Sequence, residues 1–101
     1  MASFVKAAQT SEIPDGQGKC VEVEGKRIAI FNVDGTYYAI DDVCPHQGGP
    51  LSEGELSGTT VTCPWHGWEY DIATGVNRDD SDVAQEKFAV KVEGDDILVE
   101  V

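Results

Sequence analysis

The chain has 101 residues, 41% of them apolar, and carries 19 acidic residues against 7 basic ones, for a formal charge of −12. That length sets one domain with a modest core, and the apolar content excludes a disordered chain. The acidity argues against nucleic acid and anionic membrane surfaces as partners, and no apolar run nears the roughly 20 residues that span a bilayer.

The start, Met1 to Ala7, has one lysine and no apolar stretch of the kind an export signal needs. No twin arginine is present either, so the expected location is the cytoplasm. Ser3 to Ala8 reads as a first strand. Thr10 to Gly18, with Pro14, Asp15 and Gly16, reads as a loop. Val21 and Val23 alternate with Cys20, Glu22 and Glu24, the pattern of a half-buried strand with Cys20 on its polar face. Cys20 is expected to be a free thiol that ligates nothing. Glu24-Gly25-Lys26 turns the chain. Arg27 to Val33 is nearly all apolar, which predicts a central strand covered on both faces. Asp34-Gly35 is a two-residue hairpin signal, and Tyr37 to Ile40 is the returning strand.

Gly49-Pro50-Leu51-Ser52-Glu53-Gly54 reads as a connector with one helical turn. Thr59 to Thr62 is β-branched and reads as extended. Trp68, Tyr70 and Ile72 alternate with Glu69 and Asp71, so another strand follows. Ala73-Thr74-Gly75 turns. Asn77 to Glu86 is polar and acidic and reads as an exposed loop. Phe88, Val90 and Val92 alternate with Ala89, Lys91 and Glu93. After a turn at Glu93-Gly94-Asp95, Ile97, Val99 and Val101 form the last strand. No window shows helical period. Short strands between regular turns predict an all-β fold, an antiparallel sandwich or barrel.

Two short boxes stand out. One is Cys44-Pro45-His46-Gln47-Gly48-Gly49, and the other is Cys63-Pro64-Trp65-His66-Gly67-Trp68. They give C-x-H, sixteen residues, then C-x-x-H, and they contain both histidines of the chain and two of its three cysteines. Thiolate and imidazole suit zinc, copper or iron–sulfur centres rather than magnesium or calcium. The prolines stiffen each turn, and the glycines let the backbone come close to inorganic sulfide. Three readings fit the residues. The boxes are plain turns with buried cysteines, or a structural Cys2His2 zinc site, or a [2Fe–2S] centre with histidines on one iron.

The boxes resemble the cluster-binding boxes of Rieske proteins, above all the small soluble Rieske ferredoxins of multicomponent bacterial oxygenases. The resemblance extends over nearly the whole chain and implies a single Rieske domain over 1–101. Its metal-binding tip would consist of two loops at about 43–50 and 63–68. It implies one [2Fe–2S] cluster, with Cys44 and Cys63 on the inner iron and His46 and His66 on the outer iron near the surface. Partners would then dock over His46 and His66, with Gln47, Pro64 and Trp65 on the rim. Gly48, Gly67, Trp68 and Tyr70 would line the cluster behind the ligands.

The resemblance implies an electron carrier rather than an enzyme. Both histidines are taken, so none remains for a mononuclear oxygenase iron or a hydrolytic triad, and no G-x-G-x-x-G follows a strand. The implied partners are a flavin-dependent ferredoxin reductase and a terminal oxygenase acting on aromatic rings, with the carrier a monomer. A small Rieske subunit of an assimilatory nitrite reductase is the nearest alternative, and a zinc-stabilised interaction module is one from another class. High-potential respiratory Rieske proteins carry an extra cysteine in each box. The matching positions here are Gly49 and Trp65, so that disulfide is impossible, and Trp68 replaces a serine hydroxyl. With Asp41 and Asp42 just before the first box, the expectation is a potential near the bottom of roughly −150 to +300 mV, falling at alkaline pH as the histidines lose protons. The Gly/Pro-rich loop that many relatives carry after the second box is absent. Gly75 to Asp82 is acidic and lacks proline.

Overall fold

The computed structural model describes residues 4–43, 50–64, 67–78 and 84–100. It contains ten strands, all paired antiparallel, and no α-helix among the described residues. The strands are β1 Phe4–Gln9, β2 Gly18–Val23, β3 Lys26–Val33, β4 Thr36–Asp41, β5 Glu55–Ser57, β6 Thr60–Thr62, β7 Glu69–Asp71, β8 Lys87–Phe88, β9 Val90–Glu93 and β10 Asp96–Glu100. They form three sheets, in the orders β1-β10-β9, β2-β3-β4-β8 and β5-β6-β7.

The four-stranded sheet lies between two apolar clusters, and β3 feeds both. Ile28 and Ile30 point into one cluster with Val21, Phe88, Ile97 and Val99. Ala29 and Phe31, one residue out of phase, point into the other with Leu51, Val61, Tyr70 and Ile72. A strand with period 2 and apolar residues at every position can only be satisfied this way. The expected central strand is therefore confirmed. The hairpins on either side are tight. Glu24-Gly25 and Asp34-Gly35 both have positive φ at both positions (50° and 81°, 51° and 84°), as a two-residue turn matched to strand twist requires.

Three expectations need revision, and one strand is new. Cys20 is half-buried rather than outward-facing, because the 3-10 turn Leu51–Glu53 packs over β2. Glu55–Ser57, which follows the expected connector 49–54 and belongs to no expected element, pairs with β6 as a strand. The alternating run through Phe88 and Val92 is two strands, not one. Phe88 pairs with Ala39 in the central sheet, whereas Val90 pairs with Val99 in the outer sheet, so the chain changes sheets at Ala89 and leaves Val92 44% exposed. Finally, the 77–86 stretch is not an exposed loop at its two ends. Asn77 and Gln85 are both buried, at 4% and 7% exposure, and bridges join Tyr70 to Asn77 and Val76 to Ala84. Polar composition suggested solvent, but the Gln85 side chain is buried with its amide on two backbone carbonyls of another segment.

Candidate metal centre

The site is approached through four stems, one at each end of each box. The first box is entered from β4. Asp41 makes a local turn there, its Oδ1 accepting from the Val43 amide at 2.9 Å. Val43 and Pro50, the residues flanking 44–49, form an antiparallel bridge. Below it, the Leu51 amide donates to the Asp42 carbonyl at 2.8 Å, and the Ser52 amide donates to Asp42 Oδ1 at 2.8 Å. The chain thus leaves and rejoins the fold at one point. Asp42 is fully buried, and its Oδ2 lacks a hydrogen-bond partner, with the Arg27 guanidinium 3.6 Å away.

The second box grows from the hairpin β6–β7. The Cys63 amide donates to the Trp68 carbonyl at 2.7 Å, and the Cys63 carbonyl accepts from Gly67 at 3.0 Å. Gly67 has φ +79°, which closes this tight turn without a Cβ penalty. Cys63 is 1% exposed and sits in the apolar cluster with Leu51, Val61, Tyr70 and Ile72.

Of the residues singled out from sequence, Cys63 and Tyr70 are buried together, Trp68 is half-buried against the same cluster, and Pro64 and Gly67 are exposed. Cys44, His46, Gln47, Gly48, Trp65 and His66 lie outside the described residues. Among the described residues no three metal-capable side chains converge, and Cys63 is the one expected ligand among them. Its setting fits a soft metal: a thiol sheltered from water at the head of a turn whose backbone is pinned on both sides.

The two boxes are tied together at their bases. The exit of the first meets the entrance of the second through β5–β6, with Glu55 opposite Thr62. Gly54 makes this approach possible, since a Cβ there would stand 2.1 Å from the Thr62 carbonyl oxygen. The entrance of the first meets the exit of the second through Gln85. Its Nε2 donates to the carbonyls of Asp41 (3.0 Å) and Val43 (2.5 Å), and its amide donates to the Gly75 carbonyl (2.7 Å). Sequence reasoning missed Asp42 as a buried hub, Gly54 and Gln85. The signal for Gln85 was absent, since its partners are backbone carbonyls 42 and 44 residues away.

Residues 3–89 match the family of the Rieske [2Fe-2S] domain. The chain belongs to this Rieske family. The Rieske chain is 34% identical over 100 residues to the ferredoxin component of the naphthalene 1,2-dioxygenase system of Pseudomonas aeruginosa, covering 97% of this chain and 95% of that one. It superposes with a TM-score of 0.86 and 30% identity on a chain from a complex of reduced oxygenase and oxidized ferredoxin in carbazole 1,9a-dioxygenase, over 95% of this chain and 91% of that one. A Mycobacterium tuberculosis protein assigned as a nitrite reductase small subunit superposes with a TM-score of 0.92 over 100% of this chain and 96% of that one, but at 22% identity the likeness is one of fold. Membership in the Rieske family supports an iron–sulfur cluster as the group this site holds.

The surface field of this Rieske domain is strongly negative. Six of its seven basic residues already pair with carboxylates: Lys6, Lys19, Lys26, Arg27, Arg78 and Lys91. In five of these pairs both side chains are about half exposed, so they add little stability, whereas Arg27 faces the buried Asp42. They do neutralise most of the positive charge locally and leave the remaining acids to set the potential. No helix among the described residues is long and apolar enough to cross a membrane.

Proposed function

We propose that this chain is a low-potential Rieske ferredoxin, a carrier that brings single electrons from a flavin-containing NAD(P)H reductase to a terminal oxygenase acting on aromatic rings. It has no catalytic residue of its own. Residues 1–101 form one Rieske domain whose ligand loops run about 43–50 and 63–68. Cys44, His46, Cys63 and His66 hold one [2Fe–2S] cluster, which accepts and releases one electron at a time. The observation that carries this reading is the 34% identity over 97% of the chain to a ferredoxin component of a dioxygenase system, with residues 3–89 matching the Rieske [2Fe-2S] domain, supported by the buried, backbone-pinned Cys63.

The chain's own residues have three tasks. The paired stems hold the ligand turns in place before the cofactor arrives. The apolar cluster of Leu51, Val61, Tyr70 and Ile72 keeps water from the inner side of the site. The rim, formed by His46, His66, Gln47, Pro64 and Trp65, receives partners, while Gly48, Gly67, Trp68 and Tyr70 support it from behind. A buried carboxylate at Asp42 and the net charge of −12 both oppose addition of an electron, which favours a low potential. The protein works as a cytoplasmic monomer, and a partner with a basic face matches its charge.

The deciding experiment is the visible and EPR spectrum of purified protein before and after dithionite, with iron and sulfide counted. Two irons and two sulfides, with the anisotropic signal of a reduced Rieske centre, are expected. The protein should also restore turnover when added to a ring-hydroxylating oxygenase and its reductase. Colourless protein containing zinc would overturn the reading, and a midpoint potential well above zero would remove the low-potential assignment.

A further inference from the structure

We propose that Gln85 is a positioning residue for the metal centre, holding the entrance of the first ligand box against the exit of the second. The inference rests on the reading of Cys44, His46, Cys63 and His66 as ligands of one cluster. Ligands supplied by two separate turns can bind one centre only if the turns keep a fixed separation. On one side, β5–β6 pairing secures this. On the other side the stems are not paired directly with each other among the described residues. The segment 84–88 lies between them, with β8 on β4, the Asp41 amide on the Glu86 carbonyl and Ala84 bridged to Val76. Gln85 adds the side-chain contacts that reach Val43 at the entrance of the box.

Its geometry suits the task. The side-chain amide has two N–H donors, and they go to two carbonyls, Asp41 and Val43, on the stem of the first box. Its backbone amide goes to Gly75, at the turn that follows β7 on the stem of the second. Gly75 has φ +82°, and a Cβ there would lie 2.5 Å from the Gln85 carbonyl oxygen, so the two segments meet at backbone contact distance. The residue is 7% exposed, so its two side-chain donors depend on these carbonyls for their hydrogen bonds. No other uncharged side chain of that reach carries two donors. A glutamate of the same size has at most one.

The test uses holo-protein of the full chain with Gln85→Glu and Gln85→Ala, and Val23→Ala as a control of similar burial (6% against 7%) in the apolar cluster on the other face of the central sheet. Three readouts are compared: the g-values of the reduced centre, the midpoint potential, and the rate at which a chelator bleaches the visible spectrum. Both Gln85 variants should shift or broaden the EPR signal, move the potential, and lose the cluster about tenfold faster, as expected for two lost hydrogen bonds. Val23→Ala should change none of the three. Wild-type spectra and bleaching in the Gln85 variants, with or without a lower melting temperature, would show a merely structural role and overturn the proposal. Failure of both variants to fold would overturn it too, since a local clamp leaves both apolar clusters intact. If wild-type protein binds no iron–sulfur cluster, the proposed function itself fails, and that outcome is read before any variant is made.

Discussion

The carboxylate of Asp42, wholly buried, accepts a hydrogen bond from the backbone amide of Ser52 at 2.8 Å. This contact spans the first box and, with the Leu51 amide on the Asp42 carbonyl, closes its base. Asp42→Ala would strand the Ser52 amide and leave Arg27 without its buried counter-charge. The expected loss is about 2–3 kcal/mol in urea melts, with Asp42→Asn losing less because its amide oxygen still accepts. A loss under about 0.5 kcal/mol in Asp42→Ala, the level of an ordinary surface change, would show that the carboxylate does not support the stem.

Gly75 and Gly16 share a left-handed backbone, φ +82° and +80°, but differ in their surroundings. A Cβ at Gly16 meets nothing within 4 Å, whereas one at Gly75 strikes the Gln85 carbonyl. Gly16→Ala should therefore cost only the conformational strain, about 1–2 kcal/mol. Gly75→Ala should cost clearly more and should also weaken cofactor retention. Equal thermal shifts in the two variants would mean that the 75–85 approach relaxes freely in solution.

Glu12 sits under two donors. The Lys19 ammonium pairs with it, and the Gln9 amide donates to its Oε2 at 2.9 Å. Lys19 first, then the Gln9 amide, hold its carboxyl below the ordinary 4.5. A carboxyl depressed in the folded state stabilises the fold above its unfolded value and loses that contribution as pH falls through the depressed one. Glu12→Gln should thus lower the melting temperature slightly at neutral pH and hardly at all in strong acid. An NMR titration of Glu12 that runs at the ordinary value would contradict the arrangement.

Cys20 is expected to be a sluggish thiol. Burial first, and then the neighbouring Asp42 carboxylate, push its pKa above the ordinary 9.0, while Arg27 opposes them. The alkylation rate of Cys20 should rise with pH around a midpoint above 9.0, and Arg27→Gln should move that midpoint further up. The sign for stability follows: a raised thiol contribution is complete below the unfolded value and is lost as pH climbs through the folded one. A midpoint that moves down in Arg27→Gln would mean the guanidinium does not face the thiol.

Electron delivery to a basic partner should depend on ionic strength. With nearly every cation already paired, the acidic field acts over about 10 Å at 0.1 M salt and shrinks as salt rises. The second-order rate of oxygenase reduction should fall as salt is raised from about 0.01 to 0.15 M. A flat or rising profile would assign the charge to solubility alone.

The sequence by itself determined the all-β class, the central strand, the Asp34-Gly35 hairpin and the two boxes, because each is a short-range pattern. Alternation, β-branching, positive-φ pairs and close Cys/His spacing are all visible within ten residues of chain. The tertiary structure alone decided that Asp42 is buried, that Asn77 and Gln85 lie inside rather than in a solvent loop, and that the chain changes sheets at Ala89. Those facts depend on partners far along the chain. A polar side chain is buried only where distant backbone groups satisfy it, and composition carries no record of where those groups will be. The ties between the stems are of this second kind: Gly54 against Thr62, and Gln85 against Asp41 and Val43. The candidate ligand types were readable from residues alone, but the backbone and side-chain ties between the stems became visible only in the fold.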